Sequence, residues 1–383
     1  MTKVNTVMYV LFILSGVIKS LTQTIDLPVD ITLVTGFYLF VVLCYQFILR
    51  ELHVNISELK SILLLTLLYL IIALGLFFRD FSEIGWVKLF FSLTNLIAFV
   101  FPMFSKLSRR TFFITFVSLS LIFGIINFYV LSFLTYEQLT LLDMKSVYLS
   151  IGLVVAFALI LNMKFQQDTV VGLILFFVLF FLLLVSSARG PLIFYIVSIF
   201  MVKIFFISKD ALYLKRNKLF FAIVSTLLFS IFFISNADLS TVYDLFSRTI
   251  SRMSLLFAEN KGESVETRFF LFEQALSMFN ENIFLGGGFG SFGMYVFGED
   301  VKLYPHNLIL ELASETGLLG ALIFILFVLN LLIKNWNNQL FICVFVFSFL
   351  NLMKSYSFQD LRLFFGMLSI AMVLNLKKHD RNY

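Results

Sequence analysis

The sequence predicts an all-α, polytopic integral membrane protein. Hydrophobic residues make up 60% of the 383 residues, Phe alone accounts for 52, and only 13% of the residues are charged. The mean hydropathy is +1.00. A soluble protein cannot keep this much apolar surface away from water, whereas helices that cross a bilayer expose it to lipid. The composition therefore excludes a soluble globular protein.

About twelve transmembrane helices are predicted, because twelve apolar runs have the length needed to cross a bilayer. They cover residues 5–21, 29–49, 60–78, 87–105, 112–134, 147–163, 169–187, 191–207, 218–235, 306–333, 338–353 and 358–376. Lys3 precedes the first run and no small-residue cleavage site follows it. This run is therefore predicted to be an uncleaved signal anchor.

The chain is predicted to form one membrane domain, since it contains only 4 Pro and no linker rich in Pro, Ser or Gly. Within it, residues 1–235 hold transmembrane helices 1–9, and residues 236–305 form one long outer loop with short helices. Residues 306–383 hold helices 10–12 and a short cytoplasmic tail. The two cysteines, Cys44 and Cys343, lie in apolar runs, so neither a disulfide framework nor a Cys-rich metal site is predicted.

The distribution of positive charge predicts that both termini face the cytoplasm. With that orientation, sixteen Lys and Arg residues lie on the cytoplasmic side and seven lie in short outer loops. Short loops rich in Lys and Arg stay in the cytoplasm. The long loop and the residues next to it are then external. The basic run at 209–218 is predicted to anchor on anionic lipid, because it is short and lacks the interleaved aromatic residues of a nucleic-acid site.

Polar residues gather at the start of the tenth run, in the segment YPHNLILELASETGLLG at 304–320. Pro305 is predicted to begin a helix, with His306 and Asn307 in its first turn. The helical repeat then gives two neighbouring stripes. The first stripe contains His306, Leu310, Ala313, Gly317 and Gly320, and the second contains Asn307, Glu311 and Ser314.

Three of these polar side chains are candidates for function. A helix N terminus disfavours protonation of an imidazole, so His306 is predicted to be a neutral base near neutral pH. An interfacial His that is hydrogen-bonded to water is the alternative. Glu311 and Glu315 lie deeper in the run, where an ionisable residue either serves function or is hydrogen-bonded to neighbouring helices.

Upstream, Arg189 stands between two apolar runs in the sequence SSARGP. It is either a snorkelling side chain in a tight turn or an anion ligand near the membrane surface. In the outer loop, Arg248 and Arg252 are four residues apart and would share a helix face. Nine acidic residues outnumber five basic ones in this loop, so any anion site there must be local.

Arg268 begins a segment with an amphipathic pattern, followed by the glycine-rich run LGGGFGSFG. Phe269, Phe272, Leu276 and Phe279 predict one apolar face that lies on the bilayer or caps the bundle. Gly288, Gly290 and Gly293 formally match a dinucleotide-binding pattern, but no βαβ unit surrounds them. Two interpretations remain: a turn that brings backbone close to a sugar or to the helix bearing His306, or a flexible loop.

Together these motifs carry a family resemblance. His306 and Asn307, followed after nine residues by Gly317 and Gly320, form a pattern that resembles the bacterial O-antigen polymerase and O-antigen ligase superfamily. Its members are membrane glycosyltransferases that move lipid-linked sugar chains. The glycine-rich run and the SSARG motif strengthen the resemblance, which covers residues 186–330 by motif and the whole chain by hydropathy.

The resemblance implies roles for several residues. His306 is expected to be the catalytic base, and Arg189 and Arg268 are expected to hold the diphosphate of the donor. The further substrate-binding residues predicted are Arg248, Arg252, Asn307, Glu311, Gly288 and Gly290. Neither a metal nor any other cofactor is expected.

The function expected is that of a polymerase in the bacterial inner membrane with its active site facing the periplasm. It would transfer a growing glycan from undecaprenyl diphosphate to the next lipid-linked repeat unit. The alternative is a ligase that transfers the glycan to lipid A core. A transporter or flippase of lipid-linked oligosaccharide is a third class, but transporters place charges at midplane helix breaks, whereas the polar residues here gather at one membrane face. The expected partners are the undecaprenyl-diphosphate-linked oligosaccharide and membrane lipid, with a chain-length regulator protein as a further candidate and no nucleic acid.

Overall fold

A computed structural model of the chain describes residues 2–22, 30–49, 56–77, 82–133, 147–165, 169–186, 188–206 and 263–376. Over these ranges the chain forms thirteen α-helices and one 3-10 turn, Phe358–Asp360, and contains no strand. The helices are α1 (Thr2–Leu21), α2 (Ile31–Ile48), α3 (Ile56–Phe77), α4 (Glu83–Phe104), α5 (Arg109–Phe133), α6 (Val147–Phe165), α7 (Val170–Val185), α8 (Arg189–Phe205), α9 (Glu263–Glu281), α10 (Phe292–Phe297), α11 (Leu308–Asn335), α12 (Gln339–Ser355) and α13 (Arg362–Leu376).

The described helices confirm an all-α, multi-pass membrane protein. Seven of them, α1 to α6 and α11, are long and apolar enough to cross a bilayer. Three further helices, α7, α12 and α13, are apolar but shorter. Eleven of the twelve predicted runs overlap a described helix. The run at 218–235 lies outside the described residues, as does part of the long loop, so the number of crossings and the periplasmic loop stay predictions.

The chain divides into two compact units, and α2 crosses the boundary between them. Unit 1 comprises residues 1–35 and 107–260. Its described part is built around α6, in which every residue from Ile151 to Met163 is buried. Helices α5 and α7 pack on α6, and the Asn162 amide donates a 2.7 Å hydrogen bond to the Gly172 carbonyl at the start of α7.

Unit 2 comprises residues 36–106 and 261–383, and it contains helices α3, α4 and α9 to α13. Helix α4 packs along α13, and α3 packs along α11. Side-chain to backbone hydrogen bonds join α4 to the 3-10 turn and to α13: Asn95 Nδ2 donates to the Phe358 carbonyl at 2.7 Å, and Ser369 Oγ donates to the Phe99 carbonyl at 2.6 Å. The 3-10 turn before α13 consequently lies beside the middle of α4.

Helix α9 confirms the helix predicted after Arg268, although it begins earlier, at Glu263. Its buried face consists of Leu271, Ala275 and Met278, which pack on Phe292 of α10. The predicted apolar face is different, and two of its members, Phe269 and Leu276, are 56% and 49% exposed. The helix therefore carries two apolar faces, and packing against α10 and α11 decides which of them is buried.

Candidate active site

The candidate site in unit 2 is built on a break in α11. Gly317 has a φ of 67° and a ψ of −169°, which interrupts the helical hydrogen bonding. The backbone groups released by the break pair with the glycine-rich loop. The Gly287 amide donates to the Ser314 carbonyl at 2.7 Å, and the Leu318 amide donates to the Ile283 carbonyl at 2.7 Å. Because unpaired backbone groups are costly in an apolar environment, the loop makes the break possible.

Glycine is required where the loop and the broken helix touch. Gly286 has a φ of +68°, and a Cβ there would collide with the backbone of residues 315–317. Gly290, with a φ of +80°, lies against the backbone of Gly85 at the start of α4. The loop thus approaches the helix that follows His306 closely, as one of the two sequence interpretations predicted. Gly288 was predicted to bind substrate. Its backbone amide donates to the Glu315 carbonyl at 3.0 Å, so this amide is hydrogen-bonded within the protein.

The structure corrects the predicted start of α11. The helix begins at Leu308 rather than at Pro305, and Asn307 is its N-cap. The Asn307 carboxamide oxygen accepts hydrogen bonds from the amides of Ile309 and Leu310, each at 3.1 Å, which requires an extended backbone at Asn307. His306 therefore lies outside the helix, with a φ of 55°.

The His306 imidazole is held mostly away from solvent. It donates a hydrogen bond to the backbone carbonyl of Ser355, and the Tyr304 ring lies 4.5 Å from it between centroids. Its buried Nδ1 has no hydrogen-bond partner among the described residues. Burial, and then the positive charge of Arg268, lower the pKa of His306 below its usual value. This direction favours the neutral ring near neutral pH, and its causes are burial and Arg268 rather than a helix N terminus.

The structure brings Arg268 of α9 near His306, since the charge of Arg268 acts on both His306 and Tyr304. Burial raises the pKa of Tyr304 to about 12, so this hydroxyl keeps its proton. Arg189 is the first residue of α8 in unit 1, with Gly190 and Pro191 in the same turn. Arg248 and Arg252 lie outside the described residues.

A buried lysine that the sequence interpretation missed lies at the centre of the site. Lys88 of α4 forms ion pairs with Glu311 at 2.5 Å and with Glu315 at 2.6 Å, and all three side chains are almost completely buried. The sequence did contain a signal for Lys88, because a charged residue in an apolar run needs a partner inside the protein. The partner could not be identified from the sequence, since Lys88 and Glu315 are 227 positions apart.

Asn307 binds the C-terminal end of α12, and Glu311 binds the segment that joins α12 to α13. The Asn307 amide donates to the Met353 carbonyl at 3.3 Å. The Glu311 carboxylate accepts from the Ser357 hydroxyl at 2.6 Å and from the Phe358 amide at 3.0 Å. Because Ser355, the last residue of α12, also accepts a hydrogen bond from His306, residues 353–358 contact His306, Asn307 and Glu311. These contacts lie within the protein, and the predicted contact of Asn307 and Glu311 with substrate stays a prediction.

Within the described ranges, no group of three or more His, Cys, Asp or Glu residues is arranged to hold a metal ion.

A family comparison covers the region that contains all of these predicted residues. Residues 173–325 match the family model described as O-antigen ligase. The superfamily resemblance is confirmed. The match includes the arginine motif at 186–190, the glycine-rich loop and the His306 segment, but it does not distinguish an O-antigen polymerase from an O-antigen ligase. No curated protein matches the chain.

Proposed function

We propose that this protein is an O-antigen polymerase, a glycosyltransferase that acts at the periplasmic face of the bacterial inner membrane. It transfers a growing glycan from undecaprenyl diphosphate to the next lipid-linked repeat unit. The observation that carries the proposal is the presence of the half-buried His306 and of Arg268, whose charge acts on it, inside the region that matches the O-antigen ligase family. A basic nitrogen with no partner among the described residues, and a positive charge that acts on the same ring, suit this transfer.

In the proposed reaction, His306 accepts the proton of the acceptor hydroxyl as that oxygen attacks the anomeric carbon of the donor. The new glycosidic bond forms while the bond between the anomeric carbon and the diphosphate oxygen breaks. The His306 ring is neutral beforehand because burial and Arg268 disfavour its protonated form. Its hydrogen bond to the Ser355 carbonyl orients the ring and leaves Nδ1, which has no partner among the described residues, to accept the proton.

The leaving undecaprenyl diphosphate carries the negative charge that develops in this step. We assign Arg268 and Arg189 to bind it, because a guanidinium binds phosphate oxygens through charge-assisted, bidentate hydrogen bonds. Arg248 and Arg252 are further proposed ligands. The proton acceptor and the charge stabilisation both come from side chains, and we therefore propose a metal-independent reaction.

A ligase is the second candidate, favoured by the description of the matched family. The same donor and the same residues would serve it, since the two enzymes differ in the acceptor. For the polymerase, a chain-length regulator protein is a further proposed partner.

The test is reconstitution of the purified full chain with the lipid-linked repeat unit as its only substrate. We expect a ladder of products on a gel, unchanged by EDTA and lost in His306→Ala. His379→Ala is the matched control, because it changes a histidine of the C-terminal basic tail. If there is no ladder but product forms when lipid A core is added, the protein is a ligase. If His306→Ala keeps full activity, the proposed mechanism is wrong.

A further inference from the structure

Helix α3 marks how far the hydrocarbon of the bilayer extends along unit 2. Large apolar side chains are exposed along the whole length of one face of α3: Leu59, Leu63, Leu67, Leu70, Leu74 and Phe77. They recur every three or four residues, so they form a single stripe that faces lipid. At about 1.5 Å per residue the stripe spans about 27 Å, which is close to the thickness of the hydrocarbon core. Phe77 therefore lies at one hydrocarbon boundary.

Helix α11 is joined to α3 at the opposite end of this stripe, near Leu59. The Asn330 amide donates a hydrogen bond to the Ser61 hydroxyl at 2.7 Å. One turn further along α11, Lys334 Nζ lies 3.9 Å from Glu58 Oε1. Because the two pairs follow opposite orders along the two helices, α11 runs antiparallel to α3. The C-terminal turn of α11 is thus level with Leu59.

The lipid-facing stripe of α11 is shorter than that of α3. Its exposed apolar residues are Leu318, Leu319, Leu322, Ile325, Leu326, Leu329 and Ile333. They span about 23 Å, so the stripe ends about 5 Å short of the level of Phe77. Residues 308–317, which precede the stripe in α11, are all buried or half-buried, because α9 and the glycine-rich loop cover them.

The tip of the glycine-rich loop, residues 283–285, lies where this stripe ends. The Ile283 carbonyl accepts a hydrogen bond from the Leu318 amide at 2.7 Å. The Phe284 carbonyl accepts one from the Leu319 amide at 3.4 Å. These two bonds fix the loop tip at the level of the last exposed turn of α11. The loop tip consequently lies within the hydrocarbon slab that α3 defines.

The side chains of the loop tip are apolar and exposed. Ile283, Phe284 and Leu285 are all exposed, and Phe284 reaches 75%. Leu285 lines a cavity of about 1000 Å³ together with Phe77 and Leu319, which belong to the two stripes. The loop tip therefore continues the lipid-facing surface of α3 and α11. In water, such a contiguous apolar surface would be unfavourable.

The backbone and the charges of the loop also suit hydrocarbon. Irregular backbone is tolerated at membrane depth only where its polar groups are paired inside the protein. Beside the bonded carbonyls of the loop tip, the Gly287 and Gly288 amides donate to the carbonyls of Ser314 and Glu315. Residues 282–298 contain no charged side chain. Neither feature therefore opposes insertion of the loop tip.

We propose that the loop tip dips into the bilayer and that its partner is the acyl chains of the leaflet in which Phe77 lies. This placement does not depend on the proposed function. It moves residues 283–285 out of the external loop that the sequence predicted for residues 236–305. Because α9 ends at Glu281, directly before the loop tip, the inserted tip anchors the C-terminal end of the helix that carries Arg268.

Tryptophan fluorescence tests this placement, because the chain has only 2 Trp. The Trp86→Phe, Trp336→Phe double variant gives a background without tryptophan, and Phe284→Trp then adds one reporter at the loop tip. The full chain is reconstituted in phosphatidylcholine vesicles, with or without bromine in the acyl chains. We expect brominated chains to remove most of the emission, whereas iodide added to the aqueous phase should leave it nearly unchanged.

Two matched variants in the same background calibrate the two quenchers. Leu322→Trp places the reporter in the exposed stripe of α11, so it should be quenched by brominated chains and protected from iodide. Glu299→Trp places it at an exposed charged position just beyond the uncharged segment, so it should show the reverse pattern. Leu285→Trp is a second loop-tip reporter, for the case that Phe284→Trp does not fold.

The two patterns decide the proposal. A loop-tip reporter that behaves like Leu322→Trp supports insertion, and one that behaves like Glu299→Trp overturns it. The measurement needs neither donor nor acceptor. Its outcome is therefore separate from the transfer assay, and either proposal can fail while the other stands.

Discussion

The ammonium of Lys88 lies 2.5 Å from the Glu311 carboxylate, and both side chains are buried in unit 2. Glu311 in turn binds Ser357 and Phe358, which follow the residue that holds His306. One ion pair therefore links α4, α11 and the segment before α13 at the end of the unit where the base lies. We expect it to support both the stability and the activity of the protein.

Replacement of Lys88 should be strongly destabilising. Lys88→Met leaves two buried carboxylates without their cation, which costs about 3–5 kcal/mol of unfolding free energy. Lys19→Met is the matched control, because Lys19 pairs with Asp30 at 3.0 Å while its side chain is 66% exposed. An exposed pair contributes about 1 kcal/mol or less. Denaturation of both variants in detergent measures the difference, and equal losses would contradict a structural role for the buried pair.

Asn307→Ala should lower activity more than its effect on stability explains. The variant loses the cap of α11, which costs about 1 kcal/mol. It also loses the hydrogen bond from the residue 307 side chain to the Met353 carbonyl, which holds the backbone next to His306. Asn338→Ala is the matched control, since Asn338 caps α12 and donates to the Ala371 carbonyl at 2.8 Å. Both variants should unfold at similar denaturant concentrations. Only Asn307→Ala should reduce the rate of transfer, and a similar rate loss in Asn338→Ala would argue against a positioning role.

The transfer rate should depend on pH through His306. Because the pKa of His306 is lowered below 6.5, the base is neutral at pH 7, and the rate should fall on acidification with a midpoint below 6.5. Arg268→Gln removes a positive charge that disfavours the imidazolium, so the midpoint should move to higher pH even though diphosphate binding weakens. Lys302→Gln is the control, because it removes an exposed positive charge that is not among the causes of the lowered His306 pKa. An unshifted midpoint in Arg268→Gln would show that these residues are not coupled.

Two glycines with similar backbone angles should respond very differently to alanine. Gly286 and Gly298 have φ values of 68° and 73°. At Gly298 a Cβ meets no described atom within 4 Å, so Gly298→Ala carries only the strain of a left-handed backbone, about 1 kcal/mol. Gly286→Ala must also push the loop away from the break in α11, and we expect a loss above about 3 kcal/mol together with loss of transfer. Thermal unfolding and the gel assay measure the two effects.

The membrane character and the helices could be predicted from the sequence because both depend on local composition. A run of about twenty apolar residues is unstable in water and satisfies its backbone hydrogen bonds as a helix in lipid. The polar residues at 304–320, Arg268 and the glycine-rich run were recognised for the same reason, since each contrasts with its apolar surroundings. The coarse family resemblance rests on these local patterns, and the match over residues 173–325 confirms it.

The relations between distant residues were decided by the tertiary structure alone. The choice of Asn307 as the cap moved His306 out of the helix, and the break at Gly317 exists because a loop some thirty residues upstream supplies its hydrogen bonds. Lys88 lies in a run that resembles the other apolar runs until folding brings Glu311 and Glu315 against it. Hydropathy is a property of each segment, whereas ion pairs and backbone pairing are properties of two segments in contact. The sequence by itself therefore determined what kind of protein this is, and the packing of α4, α9 and α11 decided how its candidate active site is assembled.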